Sequence, residues 1–388
     1  MKQALHLAWR YVRHHAGRSL LLVACITLTA LLPLAVNLLV QRYAQGLGAR
    51  ARSTPLLAGA RGSRYDLVLN SLYFTGRVPR ETTQAATAAL VEKGRATAVP
   101  ILARHEAGGH PLVGTTLDYF DRRGLVPATG RLPAMWGEAV VGAEAAEASD
   151  LSAGDTVLAA RGSLYDMGMR YPLRLRVVGI LARRGTPDDR AVFTDIHSVW
   201  ILEGHGHGHK PPEELAPAAI LRDDPDHKVL GPQTVEYTEI TQDNIASFHF
   251  HKPKRELPVT AMLVYPTNEK SETLLLAAFS EDDQLQLLEP PEVVDELLGF
   301  VLTLKRFFDM NTWLVSIATA LFLVLVVWLS IRIRRPELQT LAQIGVSRSA
   351  IAQVIVLELL MLLTVAALLA VGGAFLVLQY LSRMLPAA

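Results

Sequence analysis

Half of the 388 residues are apolar and only 19% are charged, against roughly 25% in an ordinary soluble domain. A formal net charge of +1 excludes a nucleic-acid binder driven by bulk electrostatics, and the single cysteine, Cys25, excludes an intramolecular disulfide framework or a Cys-rich metal site. The composition points to a membrane protein, and the apolar residues are unevenly spread along the chain.

Residues 1–18 place Leu5, Ala8, Trp9 and Val12 at spacings of three and four, with Lys2, Arg10, Arg13 and Arg18 elsewhere. That is the pattern of an amphipathic cytoplasmic helix lying against membrane lipids, with His6, His14 and His15 at the headgroups. The uncharged run 19–40 is long enough for a hydrocarbon core of about 30 Å. It exceeds the apolar region of a signal peptide and no clean cleavage site follows, so it reads as a retained anchor. Residues 41–310 form a large domain, 311–331 a second apolar span, 332–350 a short polar loop, 351–381 a third span, and 382–388 a tail. The third run is too long for one ordinary crossing and too short for two. Glu358 in its first turns is therefore placed near water, as an interfacial cap or a contact to an inner partner. Asn37 and Pro33 in the first span read as packing or kink features. Basic residues decide the orientation. Lys2, Arg10, Arg13 and Arg18 precede the first span without an acid, and Arg332, Arg334, Arg335 and Arg348 face only Glu337 between the second and third. The N-terminus and the 332–350 loop are then cytoplasmic, and 41–310 is extracytoplasmic.

Within 41–310, Tyr65–Leu69 reads as a strand, Arg80–Lys93 as a helix stopped by Gly94, and Thr97–Arg104 as a strand. Leu257–Tyr265, Ser271–Phe279 and Gln284–Leu288 repeat strand, helix and strand, and a helix over Val293–Phe308 leads into the second span. The two units pair into one mixed α/β subdomain. Between them, at about 106–248, lies a β-rich insert. Its strands Glu138–Val141 and Asp155–Ala159 bracket a helix at Ala143–Ser149, and Leu173–Leu181 alternates as a half-buried strand with Gly179 at a bulge. Asp188 and Asp189, in a Gly-Thr-Pro-Asp-Asp turn, and the run 223–227 (DDPDH) read as solvated acids rather than cation ligands.

No phosphate-cradling GxxxxGK[ST] loop, nucleophile elbow or HExxH occurs, so the chain is expected to be a non-catalytic subunit. Two histidine groups stand out. His205, His207 and His209 alternate with glycines, and His249 and His251 flank Phe250, on one face of an extended segment. Neutral imidazoles suit zinc or another transition metal such as copper or nickel, and convergence of the two groups makes a site. A solvated Gly/His tether and a pH-responsive cluster are the alternatives. His197 reads as structural.

The 332–350 loop carries helix signals. Pro336 suits the first turn, Leu338, Leu341 and Ile344 share a face, Gly345 suits a left-handed stop and Ser347 a following cap. The run Arg334–Arg348 (RRPELQTLAQIGVSR) resembles the RRxExxxLxxIGxS segment of MacB- and FtsX-type ABC permeases. Gly137–Gly142 (GEAVVG), Leu151–Val157 (LSAGDTV) and Val177–Leu181 (VVGIL) resemble the periplasmic core motifs of that family, and Thr54–Ser63 fits the stretch after its first span. The resemblance implies a three-span α-helical membrane protein of the bacterial inner membrane, with a porter-like α/β periplasmic domain. It makes Arg334, Arg335, Glu337, Leu338, Leu341, Ile344 and Gly345 a coupling helix for a cytoplasmic ABC ATPase dimer, which alone binds ATP. A second permease copy or paralogue and a periplasmic binding or adaptor protein are the further partners it implies. The function implied is export or extraction of an envelope substrate, with metal a further link through the histidines. Mechanotransmission without transport, as in FtsX, and an ATPase-independent metal-binding or receptor module are the alternatives. Ala342 and Val346 depart from the family's usual arginine and alanine, and a fourth span common in the family is not found after Leu381.

Overall fold

A computed structural model describes residues 2–91, 94–160, 172–209, 220–223, 228–230, 237–333 and 335–384. The described chain divides into a helical unit, residues 1–45 and 297–387, and an α/β unit, residues 46–296.

In the helical unit, Lys2–His14 is followed by three helices long and apolar enough to cross a membrane: Ala16–Arg52, Pro290–Ile333 and Arg348–Met384. Leucines and aromatics stand outward along all three, among them Leu28, Trp313 and Phe375. In water such a surface would be untenable, whereas hydrocarbon solvates it at no cost. The third helix carries a seam of buried residues four apart, Leu362, Ala366, Ala370 and Ala374, and at Leu362 and Ala366 it packs on Leu22 and Val23 of the first. Small side chains let the backbones approach, so Thr27 Oγ1 reaches the Ala366 carbonyl at 3.3 Å, and a Cβ on Gly373 would lie 2.5 Å from Leu31.

Glu358 begins that same seam. Its side chain is buried and accepts from Arg18 Nη2 at 3.0 Å. The four-residue periodicity that packs the alanines also aims this carboxylate inward, where Arg18 of the first helix meets its charge. Lys2–His14 packs along Arg348–Met384, and its Ala8 is buried.

The α/β unit is organised around one long strand, Ala96–Ala107, which belongs to two structures. Its first half extends an open antiparallel sheet in the order Leu285–Leu288, Leu56–Ala60, Ala261–Pro266, Ala96–Ala107. Its second half joins His110–Thr115, Val192–Asp195, Glu138–Val141, Leu173–Leu181 and Thr156–Ala160, and the last of these pairs back onto Ala96–Ala107. Six strands thus close into a ring, which removes the edges that a small sheet would expose. Alternate residues fill it: Leu173, Leu175, Val177 and Leu181 are buried while Arg174 and Arg176 point out. The β-rich insert is this barrel, and the expected bulge is a register shift that pairs Ala139 with Val177 but Val140 with Gly179.

The expected helix at 80–93 is Gln84–Val91, and Glu269–Phe279 and Leu285–Leu288 match expectation closely. Tyr65–Leu69 is not a strand. It lies in the helix Arg64–Tyr73, because Ser63 caps the Asp66 amide at 3.2 Å and the buried Leu67, Val68, Ser71 and Leu72 repeat at helical, not alternating, spacing. The strand of that region is Leu56–Ala60. Leu257–Tyr265 is likewise split: Pro258–Val259 pairs with Thr82–Thr83, and buried Thr260 bonds the Ile101 carbonyl before Ala261–Pro266 begins.

Asp188 and Asp189 are buried, not solvated. Asp189 accepts from the Arg184 and Gly185 amides, closing its own turn. Asp188 receives both Nη atoms of buried Arg50 at 2.6 and 2.8 Å and the Tyr119 hydroxyl at 2.6 Å, while Arg50 Nε donates to the Leu72 carbonyl at 3.1 Å. Burial opposes charge on Asp188, yet the guanidinium wins and holds its carboxyl below the usual range. Burial raises the Tyr119 phenol, keeping it a neutral donor. Gly142 is a glycine because a Cβ there would lie 2.3 Å from the Asp188 carbonyl oxygen. Arg50→Ala should therefore strand a buried carboxylate and cost about 3–5 kcal/mol, with much of it regained in Arg50→Met/Asp188→Leu; denaturant unfolding of both variants measures this.

Candidate functional site

The histidine groups lie on a short antiparallel pair, Gly206–Gly208 with Phe248–Phe250, in which Gly206 faces Phe250, His207 faces His249 and Gly208 faces Phe248. Backbone bonds from His251 N to the His205 carbonyl and from Tyr237 N to the Gly208 carbonyl extend it. Side chains alternate across such a pair, so phenylalanines and histidines take opposite faces. On the inner face, Phe248 is buried and Phe250 packs edge-on against Trp136 and Trp200. The glycines belong to that face. A Cβ on Gly208 would come within 2.6 Å of the Phe248 ring, and one on Gly206 within 2.8 Å of the Phe250 ring.

On the other face the imidazoles gather. His207 lies 4.7 Å from His249 and 4.8 Å from His251 between ring centroids, and His209 lies 5.4 Å from His249. One nitrogen from each of His207, His209 and His249 falls within 4.8 Å of the others, and His251 Nε2 lies 3.2 Å from His207 Nδ1. His207 and His209 are half-buried, His249 and His251 exposed. These are the residues that could hold a metal. His205, expected among them, is set apart: its Nε2 lies 3.5 Å from Glu203 Oε2. Part of the run 223–227 lies outside the described residues.

Glu203 is a buried carboxylate that sequence reasoning passed over. Burial opposes its charge, but hydrogen bonds from His105 (2.8 Å) and His205 and the charge of Arg104 bring its pKa to about 2. His197 is structural, as expected: Nδ1 lies 2.7 Å from Asp195 Oδ1, and its ring stacks on Trp136 at 4.8 Å.

In the 332–350 loop, a helix runs over Arg335–Gln343 with Pro336 in its first turn. Gly345 takes the left-handed conformation, φ +93°, and the Ser347 hydroxyl accepts from the Ala350 amide at 3.3 Å to start the next helix. Arg335, Gln339, Gln343 and Ile344 are exposed. Arg334 and the side chains of Glu337, Leu338 and Leu341 lie outside the described residues.

No family model and no curated protein matches the chain. Among solved structures, it is similar to the periplasmic region of MacB from Actinobacillus actinomycetemcomitans, at 12% identity and TM-score 0.34 over 63% of this chain and 94% of that one. It is also similar to the extracellular domain of the noncanonic ABC-type transporter YknZ from Gram-positive bacteria, at 13% identity and TM-score 0.32 over 60% and 98%. Both likenesses are distant.

Two outcomes check this geometry. Gly208→Val should cost about 1–3 kcal/mol by overpacking against Phe248, while His249→Ala on the open face stays within about 0.5 kcal/mol, both by thermal unfolding. Because the pKa of Glu203 is lowered in the fold, its contribution is complete above its ordinary 4.5 and is lost as pH falls toward about 2. Glu203→Gln should flatten the acid limb of stability across that window.

Proposed function

We propose that this chain is the permease subunit of an ABC transporter, coupling a separate cytoplasmic ATPase to movement of its extracytoplasmic α/β unit and so to export or extraction of an envelope substrate. The observation that carries this reading is the helix Arg335–Gln343, set between two bilayer-length helices by a left-handed stop at Gly345 and a cap at Ser347. A plain connector needs neither stop nor cap. A short helix with defined ends is a handle, because a push on it is passed to the helices it joins rather than absorbed by a slack loop. The sequence run RRPELQTLAQIGVSR gives that handle the residues of a coupling segment.

The orientation follows from the basic flanks: N-terminus and handle inside, the α/β unit outside. Pro290–Ile333 begins in residues of the α/β unit and ends just before the handle, and Leu362 and Ala366 pack the third helix on Leu22 and Val23 of the first. ATP-driven closure of an ATPase dimer inside would move the handle and, through these helices, the unit outside. Two permease chains are expected, one for each ATPase. The chain itself performs no hydrolysis.

The reading is tested at the handle. Photo-crosslinkers at Gln339 and Gln343 should be reached from the cytoplasmic side and capture a P-loop ATPase. Glu337→Lys and Leu341→Asp should each reduce the co-purified ATPase by roughly thirtyfold, the effect of losing about 2 kcal/mol at an interface centre. Labelling of either glutamine from the exterior, or undiminished assembly in both variants, would overturn it.

A further inference from the structure

We propose that His207, His209 and His249 form a binding site for a divalent transition metal on the external domain, with His251 supplying a fourth nitrogen. The site goes beyond the coupling role and does not depend on it.

Convergence is the first argument. A tetrahedral zinc held by nitrogens at about 2.1 Å keeps them about 3.4 Å apart. The His207–His251 nitrogens already stand at 3.2 Å, and those of His207, His209 and His249 all lie within 4.8 Å. Small rotations of four rings close the rest, and the strand pairing beneath them stays in place. The second argument is construction. Glycine and histidine alternate because Gly206 and Gly208 are pressed against phenylalanine rings on the inner face, which fixes His207 and His209 on the outer one. A solvated tether would have no use for buried glycines, nor for register pairing of His207 with His249.

The donor set gives the chemistry. All nitrogens are imidazole, a set that suits zinc, copper or nickel and discriminates against magnesium and calcium, which prefer oxygen. Glu203 is engaged with His105 and His205. With His249 and His251 exposed, the four nitrogens are reached directly from solvent, so the ion can load without opening the fold.

Tag-free full-length protein in detergent, titrated with zinc by calorimetry, should take up one ion per chain. His207→Ala and His249→Ala should weaken that by at least tenfold, and His205→Ala should leave it unchanged. Cobalt should give the intense visible bands of a tetrahedral nitrogen site, lost in His249→Gln, a variant that keeps side-chain bulk. Metal-free melting curves matching the parent show that the variants are folded. Absence of zinc heat, a loss in His205→Ala as large as in His249→Ala, or cobalt bands that survive His249→Gln would overturn the assignment.

Discussion

One buried guanidinium organises the α/β unit. Arg50, near the end of Ala16–Arg52, meets the Leu72 carbonyl, the Tyr119 hydroxyl and both oxygens of Asp188, and so ties three helical segments to the turn before Val192–Asp195. Charges taken out of water are costly, and an ion pair tolerates it only when geometry is good and every remaining donor is used. That requirement makes the pair selective: few arrangements of these four segments satisfy it. The strand positioned by Asp188 leads directly through Ile196–Leu202 to Gly206–Gly208, so the histidine cluster inherits its placement from a buried contact.

The helical unit obeys a different constraint. Where hydrocarbon surrounds the chain, apolar area drives nothing, and association falls to close packing and polar contacts. The alanine seam and the Arg18–Glu358 pair are those two devices on one four-residue stripe. Glu358 illustrates why a lone acid in an apolar run is hard to place. Its cost is set by a partner on another helix, and near the end of a span both water and a basic residue are within reach.

The two proposed activities sit on separate elements, with different kinds of precision. The handle needs sharp ends, supplied locally by Gly345 and Ser347. The histidine site needs two strands in register, supplied by backbone bonds and by phenylalanines filling the glycine hollows. The second signal was partly readable: GHGHG and FHF are complementary patterns, small against large on one face and imidazole against imidazole on the other. Reading them as a pair sets His207 opposite His249, whereas the setting apart of His205 depends on its contact with Glu203.

What the amino-acid order alone determined was whatever depends on neighbours along the chain. Three apolar runs, their basic flanks, the handle with its stop and cap, and most short helices and strands fall in this class, because hydropathy, glycine conformation and capping act within a few residues. Tyr65–Leu69 misled because five residues cannot separate a strand from a helix when the deciding cap lies outside them. Tertiary structure alone decided the closed six-stranded ring, the burial of Asp188 and which of the histidines meet. Asp188 and Arg50 are 138 residues apart, Arg18 and Glu358 340, and His207 and His251 44. Such partners are chosen by which chain segments the fold carries together, and no local pattern encodes that choice.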